Sequence, residues 1–436
     1  MSTTTTTTAA EPDLVEGDRV ELTVGAPAHG GHCVARLGGE HGRVVFVRHA
    51  LPGERVTAEI TELHKGFLRA DAVTIHEPSP DRVEPPCPYA RPGACGGCDL
   101  QHATGEAQRR WKASVVAEQM RRLAKLSWDG PVEELPGGLL GWRSRVRYAV
   151  DAADRPGLLK HRSHEVVPID RCLIAHPAIQ ELDLLQREWP GTDALAAVAT
   201  TGGDVAVLSR PSSGGGLLPP DDPADGVALG NNGQVRVSGP DEVSEVAAGR
   251  SWQLPPDGFW QVHPAAAATL TATVVELLRP VEGESTWDLY GGAGLFAGAI
   301  AGHTQGRTTV VESSRGGVIA ARRNLADLTS VEVVEARVES ALARRRVSGP
   351  VDLVVLDPPR AGAGAKVVRS VVEAGPRAVA YVSCDPASLA RDIATFGQLG
   401  WKLSTLRAFD CFPMTQHIEC VALLEPAEPG PAGAEI

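Results

Sequence analysis

The chain has 436 residues, 43% of them hydrophobic and 22% charged, which is ordinary soluble-globular usage and leaves room for about two to four domains. A net charge of −12 argues against blanket nucleic-acid binding, although residues 100–171 reverse the sign with thirteen Lys and Arg against nine Asp and Glu. No apolar run reaches the roughly 18 residues of a membrane span, and Met1-Ser2 followed by six threonines is no secretory signal, so a cytoplasmic protein without membrane contact is expected.

Residues 1–12 read as a disordered polar tail. From residue 13 to 76, short alternating runs such as Val20–Val24, Val44–Val47 and Val56–Ile60 are separated by Gly, Pro and His-Gly turns, the pattern of a small all-β barrel. Residues 77–262 read as a central α+β domain. Within it, Glu106 to Leu126 carries helical periodicity, with Trp111, Val115, Met120 and Leu123 on the apolar side. Arg109, Arg110, Lys112, Arg121, Arg122 and Lys125 lie elsewhere, where phosphates or plain solvent would meet them. Arg143, Arg145 and Arg147 alternate as on a one-sided strand and would present an arginine row to RNA. Near residues 211–233 Gly, Pro, Ser and Asp dominate, as in a surface insertion that need not be ordered.

Three cysteines within twelve residues, Cys87, Cys95 and Cys98 (C-x7-C-G-G-C), are followed far downstream by Cys172. In a reducing compartment such a cluster calls for metal rather than disulfides, and residue type alone favours zinc over an iron–sulfur cluster. Cys33, Cys411 and Cys420 lack such company.

From residue 263 to 425 strands alternate with helices, which predicts a doubly wound α/β domain; residues 426–436 read as a second disordered tail. The strands expected are Thr286–Tyr290, Thr308–Glu312, Val351–Asp357, Ala378–Val382 and Ile418–Leu424. Asp288 and the loop Tyr290-Gly291-Gly292-Ala293-Gly294 close the first strand, and Glu312 closes the second about twenty residues later, the spacing of an acid that grips a ribose diol. The loop is not G-x-G-x-x-G, and an acid on strand one suits S-adenosylmethionine better than a pyrophosphate. Asp357-Pro358-Pro359-Arg360 falls at the carboxyl edge of the sheet. Enzymes methylating exocyclic amines tend to carry an aromatic residue after the two prolines, so Arg360 argues for another target atom.

Cys384 stands where an apolar strand stops and a helix starts at Pro386. Amides of that helix would favour a thiolate over a thiol. Glu419, an acid at the start of an apolar strand, is a candidate base, and His417 is a rival.

Ser383-Cys384-Asp385-Pro386 with Leu389-Ala390-Arg391-Asp392, Asp357-Pro358-Pro359-Arg360 and the Pro-x-Thr-x-His-x-Glu run at Pro413–Glu419 together resemble the RNA 5-methyluridine (uracil-C5) methyltransferase family. The β-rich start resembles a TRAM domain, an OB-like RNA-binding barrel. The C-G-G-C segment is similar to the iron–sulfur motif of the family's ribosomal RNA members, with two more residues between Cys87 and Cys95 than the usual spacing. The resemblance implies a class I (Rossmann-like) methyltransferase domain and a 4Fe-4S cluster on Cys87, Cys95, Cys98 and Cys172, reversing the preference for zinc. It implies S-adenosyl-L-methionine contacts at Gln261, Tyr290, Glu312 and Asp357. The family's F-x-Q-x-N run here ends in His263, and an Asn common after the glycine loop is replaced by Leu295. Cys384 would add to carbon 6 of uracil so that carbon 5 can accept a methyl group, and Glu419 would then remove the carbon-5 proton. The target base would be flipped or single-stranded. Ribosomal RNA is the expected partner of a monomeric enzyme, with transfer RNA, or an inert RNA-binding protein of the same fold, as alternatives.

Overall fold

The computed structural model describes residues 14–39, 41–212 and 233–427. The polar start, nearly all of the Gly/Pro-rich segment near 211–233 and the tail beyond Ala427 lie outside the described residues. Six strands, β1 (Arg19–Thr23), β2 (Pro27–Ala28), β3 (His32–Leu37), β4 (Arg43–Arg48), β5 (Arg55–Leu63) and β6 (Phe67–Glu77), form one sheet in the order β1-β5-β6-β4-β3-β2. Alternation along them turns Leu22, Val45, Val47, Val56, Ala58, Ile60, Leu68 and Ala70 inward, as period-two patterning requires.

Helix α1 (Gly105–Gln119) follows, capped by the Thr104 hydroxyl accepting from the Ala107 amide, and runs into a π-helical turn at Met120–Ala124. It buries Trp111, Val115 and Val116. Lys112, assigned above to a phosphate-facing or solvated side, is fully buried instead. The strand after the helix, β7 (Val132–Glu134), pairs in parallel with the large C-terminal sheet, although it lies inside the span read as a central domain.

An antiparallel sheet fills the middle of the chain: β8 (Arg145–Val150), β9 (Pro156–Leu159), β10 (Val166–Pro168), β11 (Thr192–Ala199), β12 (Val205–Pro211) and β13 (Val235–Ser238), in the order β10-β9-β8-β11-β12-β13. This part of the chain also holds a short helix, α2 (Pro177–Gln180), and a separate two-stranded hairpin of β14 (Val243–Ala247) and β15 (Arg250–Leu254). The expected arginine row does not form. Arg145 donates to the Glu245 carboxylate at 3.0 Å and to the Pro256 and Gly258 carbonyls at 3.1 Å each, because β8 packs that face against the 245–258 segment. Arg147 alone of the three is exposed.

The remaining strands are β16 (Thr286–Leu289), β17 (Thr308–Glu312), β18 (Val331–Glu335), β19 (Leu353–Leu356), β20 (Ala378–Ser383), β21 (Trp401–Asp410) and β22 (Glu419–Pro426). With β7 they form a sheet in the order β18-β17-β16-β19-β20-β22-β21-β7. β16 to β20 are parallel and β22 runs antiparallel between β20 and β21. The order reverses between β16 and β19, and such a switch point opens a crevice at the carboxyl ends of the strands. Helices α3 (Ala266–Leu278), α4 (Leu295–Thr304), α5 (Arg315–Asn324), α6 (Val338–Ala343), α7 (Gly364–Glu373) and α8 (Pro386–Gln398) accompany it. Strand β19 is apolar throughout: Leu353, Val354, Val355 and Leu356 are all fully buried, as a strand covered on both faces demands. One apolar cluster joins the barrel (Leu22, Val47, Ile60), α1 (Trp111, Val115) and the C-terminal sheet (Val379, Tyr381), so these parts share a core. Among the described residues no helix is long and apolar enough to cross a membrane.

Candidate active site

A cleft of about 1220 Å³ opens at the carboxyl ends of the parallel strands, and Gln261, Tyr290, Glu312, Asp357, Cys384 and Glu419 all line it. Register brings them there. Leu289 pairs with Leu356 and Leu356 with Tyr381, so the residues that follow these strands emerge at one edge. Ser383 pairs with Cys420 in the antiparallel β20–β22 ladder, which makes Cys384 and Glu419 the next opposed pair. Sheet pairing thus brings together a nucleophile and an acid far apart in the chain.

Pro386 is the first residue of α8, and the Asp385 carboxylate accepts from the Ser388 amide at 2.7 Å as its cap. His29, from the barrel turn after β2, reaches the other Asp385 oxygen at 2.9 Å. Burial works against charge on Asp385, but His29 and the Ser388 N–H outweigh it and hold the carboxyl at about 2. The helix end does not have the expected effect on Cys384. Burial, with the Glu419 carboxyl beside it, pushes the thiol up to about 11 against the opposing pull of Arg360. Low polarity and a neighbouring acid outweigh the helix amides, one of which Asp385 already occupies.

Burial and the proximity of Asp357 raise the Glu419 carboxyl well above its usual range. His417 is driven down to about 4, first by burial and then by Arg360, and is therefore a neutral, weakly basic ring. Of the two candidate bases, Glu419 lines the cleft and stands opposite Cys384, and His417 does not line it. Asp357 is raised to about 7 by burial and by Asp288.

The glycine loop is shaped by backbone rather than side chains. Tyr290 and Gly292 both take positive φ, 67° and 54°, and a Cβ on Gly292 would project into open space of the cleft. The Glu312 carboxylate accepts from the amides of Gly292 at 3.0 Å and Ser313 at 2.7 Å, tying the loop to the start of α5. Such a cradle, open where a side chain would stand and flanked by Glu312 and Asp357, fits a nucleoside-bearing cofactor. Asp288, read above as part of the cofactor-binding pattern, is instead fully enclosed and accepts from the Ala297 amide of α4 at 2.8 Å. Leu295 packs into the core, and His263 accepts from the Ala265 amide while stacking on Trp142, so neither departure from the family pattern faces the cleft.

Asp392, quoted only as part of a motif, ties the proline loop to α8. Its carboxylate receives the Tyr381 hydroxyl at 2.6 Å and the Ala363 amide at 2.8 Å, fixing the loop after Arg360 relative to Cys384. The segment Asp410–Glu419 is anchored from α1: Lys112 donates to Asp410 at 2.6 Å and to the Phe412 carbonyl at 3.0 Å, both charges being buried. No local signal in the sequence marks Lys112, since its partner lies 298 positions away.

Cys87, Cys95, Cys98 and Cys172 line a second, small pocket together with Tyr89, Gln101 and Arg143, and none is in a disulfide. Burial raises the Cys95 thiol to about 11. Among the described residues no three His, Cys, Asp or Glu are gathered as a single metal ion would require. Four thiols around one pocket are a donor set that either a zinc ion or an iron–sulfur group can take.

Residues 14–73 match the TRAM domain family, and residues 249–427 match the family described as tRNA (Uracil-5-)-methyltransferase. An uncharacterized RNA methyltransferase of Streptomyces coelicolor is 49% identical over 97% of this chain and 96% of its own length. The 23S rRNA (uracil(1939)-C(5))-methyltransferase of Thiobacillus denitrificans is 33% identical over 91% of this chain and 97% of its own length. The crystal structure of the Pyrococcus abyssi tRNA (uracil-54, C5)-methyltransferase in complex with S-adenosyl-L-homocysteine superposes with a TM-score of 0.70 at 23% identity, covering 92% of this chain and 100% of that one.

Proposed function

Because the chain belongs to the RNA uracil-C5 methyltransferase family and is an S-adenosylmethionine-dependent enzyme, we propose that it methylates carbon 5 of a uridine in 23S ribosomal RNA through a covalent adduct on Cys384. The observation that carries the proposal is the opposition of Cys384 and Glu419 across β20 and β22 at the cleft. Carbon 5 of uracil is a weak nucleophile until a thiolate adds to carbon 6, which makes carbon 5 enolate-like. Gln261, Tyr290, Glu312 and Asp357, which line the cleft, would hold S-adenosylmethionine, whose methyl group would pass to carbon 5 as S-adenosylhomocysteine leaves. Glu419 then takes the carbon-5 proton, the carbon 5–carbon 6 double bond re-forms and the carbon–sulfur bond breaks to release Cys384. Arg360, on the rim of the same cleft, opposes the rise in the Cys384 thiol and so favours the attacking thiolate.

The choice of 23S ribosomal RNA rests on the Thiobacillus relative, which matches along nearly its whole length. Cys87, Cys95, Cys98 and Cys172 are assigned to a 4Fe-4S cluster with a structural role, supported by their shared pocket. A brown protein with visible absorbance and about four irons per chain is expected; stoichiometric zinc would overturn that assignment.

Incubation with RNA containing 5-fluorouridine and S-adenosylmethionine tests the chemistry, since fluorine at carbon 5 cannot be abstracted and the adduct should persist. It should be lost in Cys384→Ala. Absence of adduct from the unmodified protein would refute the covalent route. Mass-spectrometric mapping of 5-methyluridine in cells lacking the protein decides between ribosomal and transfer RNA.

A further inference from the structure

The loop that leads into Glu419 is held by residues that do not line the cleft. Met414 adopts φ 67°, a left-handed conformation that non-glycine residues take only when their surroundings enforce it. Here the amides of Asp99 and Leu100 both donate to the Met414 carbonyl at 3.0 Å, and the Gln108 side chain accepts from the Met414 amide at 2.8 Å. Two residues on, the Asp99 carboxylate accepts from the Gln416 amide at 3.1 Å. The other Asp99 oxygen faces Arg48 of barrel strand β4 at 3.4 Å, and both side chains are nearly enclosed, at 9% and 8% exposure. Asp99 is also the residue after Cys98. One side chain therefore joins the barrel, the cysteine segment and the loop leading to Glu419.

We propose that Asp99 is a positioning residue for proton abstraction: it holds the 414–416 turn, and through it Glu419, in register with Cys384, and its grip depends on the seating of the barrel through Arg48. The inference rests on Glu419 being the base, as proposed above. A carboxylate accepting a backbone N–H in a water-poor site is a strong, directional anchor. Losing it lets the turn relax toward an unstrained conformation and displaces Glu419, the first residue of β22, while Cys384, held between the end of β20 and the capped start of α8, stays in place. The consequence is specific to one step. Addition of the thiolate and methylation proceed, but removal of the carbon-5 proton, re-formation of the double bond and cleavage of the carbon–sulfur bond are slowed.

The test uses the full chain and ribosomal RNA purified from cells lacking this protein. Asp99→Ala is expected to lower kcat about 10–100-fold with KM for RNA within about threefold, displacement of a reacting group by about an ångström having effects of that size. Denaturing gels should show a methylated protein–RNA adduct accumulating without any fluorinated base. Asp99→Asn keeps an oxygen acceptor but not the charge, so it should show the same adduct to a smaller degree, with kcat down about 3–10-fold; it carries the test if the alanine variant does not fold. Glu419→Gln is the control. If it traps the adduct while neither Asp99 variant does, this inference fails and the assignment of the base stands. If Glu419→Gln traps nothing, the assignment of the base itself fails. A loss in Asp99 variants that lies in KM alone would make the residue an RNA-seating element and overturn the proposal.

Discussion

Replacing Asp288 with asparagine removes one titrating carboxyl buried behind the cleft, together with its upward push on Asp357. The Asp288 carboxyl is fully enclosed at the end of β16, where one oxygen accepts from the Ala297 amide and the other has no partner. Burial, assisted by Glu312, raises it from 3.8 to about 7. A folded-state value above the unfolded one means that the native protein binds this proton more tightly than the unfolded chain does. The resulting stability is present in full below about pH 4 and is lost as pH rises through 7. At about 1.4 kcal/mol per pH unit separating the folded and unfolded values, the loss reaches at most about 4 kcal/mol, of which about 2–3 kcal/mol falls between about pH 5 and pH 8. Asparagine retains the oxygen that accepts from Ala297 and does not ionise. Urea unfolding of both proteins at about pH 5 and pH 8 should therefore show Asp288→Asn gaining about 2–3 kcal/mol relative to the parent over that interval. A difference that stays constant across the interval would refute a buried, protonated Asp288.

With the Cys384 thiol at about 11, kcat/KM for RNA is expected to rise close to tenfold per pH unit from about pH 7 to 9 in stopped-time methylation assays, and a plateau already reached at about pH 7.5 would contradict a protonated resting thiol. Lys112→Met leaves the buried Asp410 charge unpaired and should cost about 3–5 kcal/mol in urea unfolding; adding Asp410→Leu should recover most of it, since a matched apolar pair can replace a buried ion pair. Gly292→Ala places a methyl group in the open part of the cleft at φ 54°. Calorimetric titration should show S-adenosylmethionine binding weakened about tenfold or more, with thermal stability reduced by only about 1 kcal/mol.

The catalytic elements were legible because their constraints are local. Alternation and apolar runs marked the barrel and four of the five parallel strands, and Pro386 marked the start of α8. The glycines of the first loop and the acid closing the second strand could be read the same way, since a tight turn and a strand end restrict residue type at fixed spacing. Cys384, Asp357 and Glu419 were recognisable by company, and the structure lines one cleft with all three. The readings of charge fared worse. Arg145 and Lys112 looked like surface cations, yet each is drawn inward against an acid 100 or 298 positions away. Asp288 looked like a ligand for the cofactor and proves to anchor a helix.

What the sequence determined by itself was therefore the barrel and five strands of the C-terminal sheet, and which residues have the chemistry to attack, accept a proton or approach a nucleoside. Only the tertiary structure decided what state those groups are in. The Cys384 thiol is raised rather than lowered because it is partly buried and because antiparallel pairing of β22 with β20 sets Glu419 beside it. The grip of Asp99 on the Glu419 loop likewise depends on contacts across 317 positions. Burial and long-range pairing set the energies of charges, and neither leaves a periodic trace along the chain.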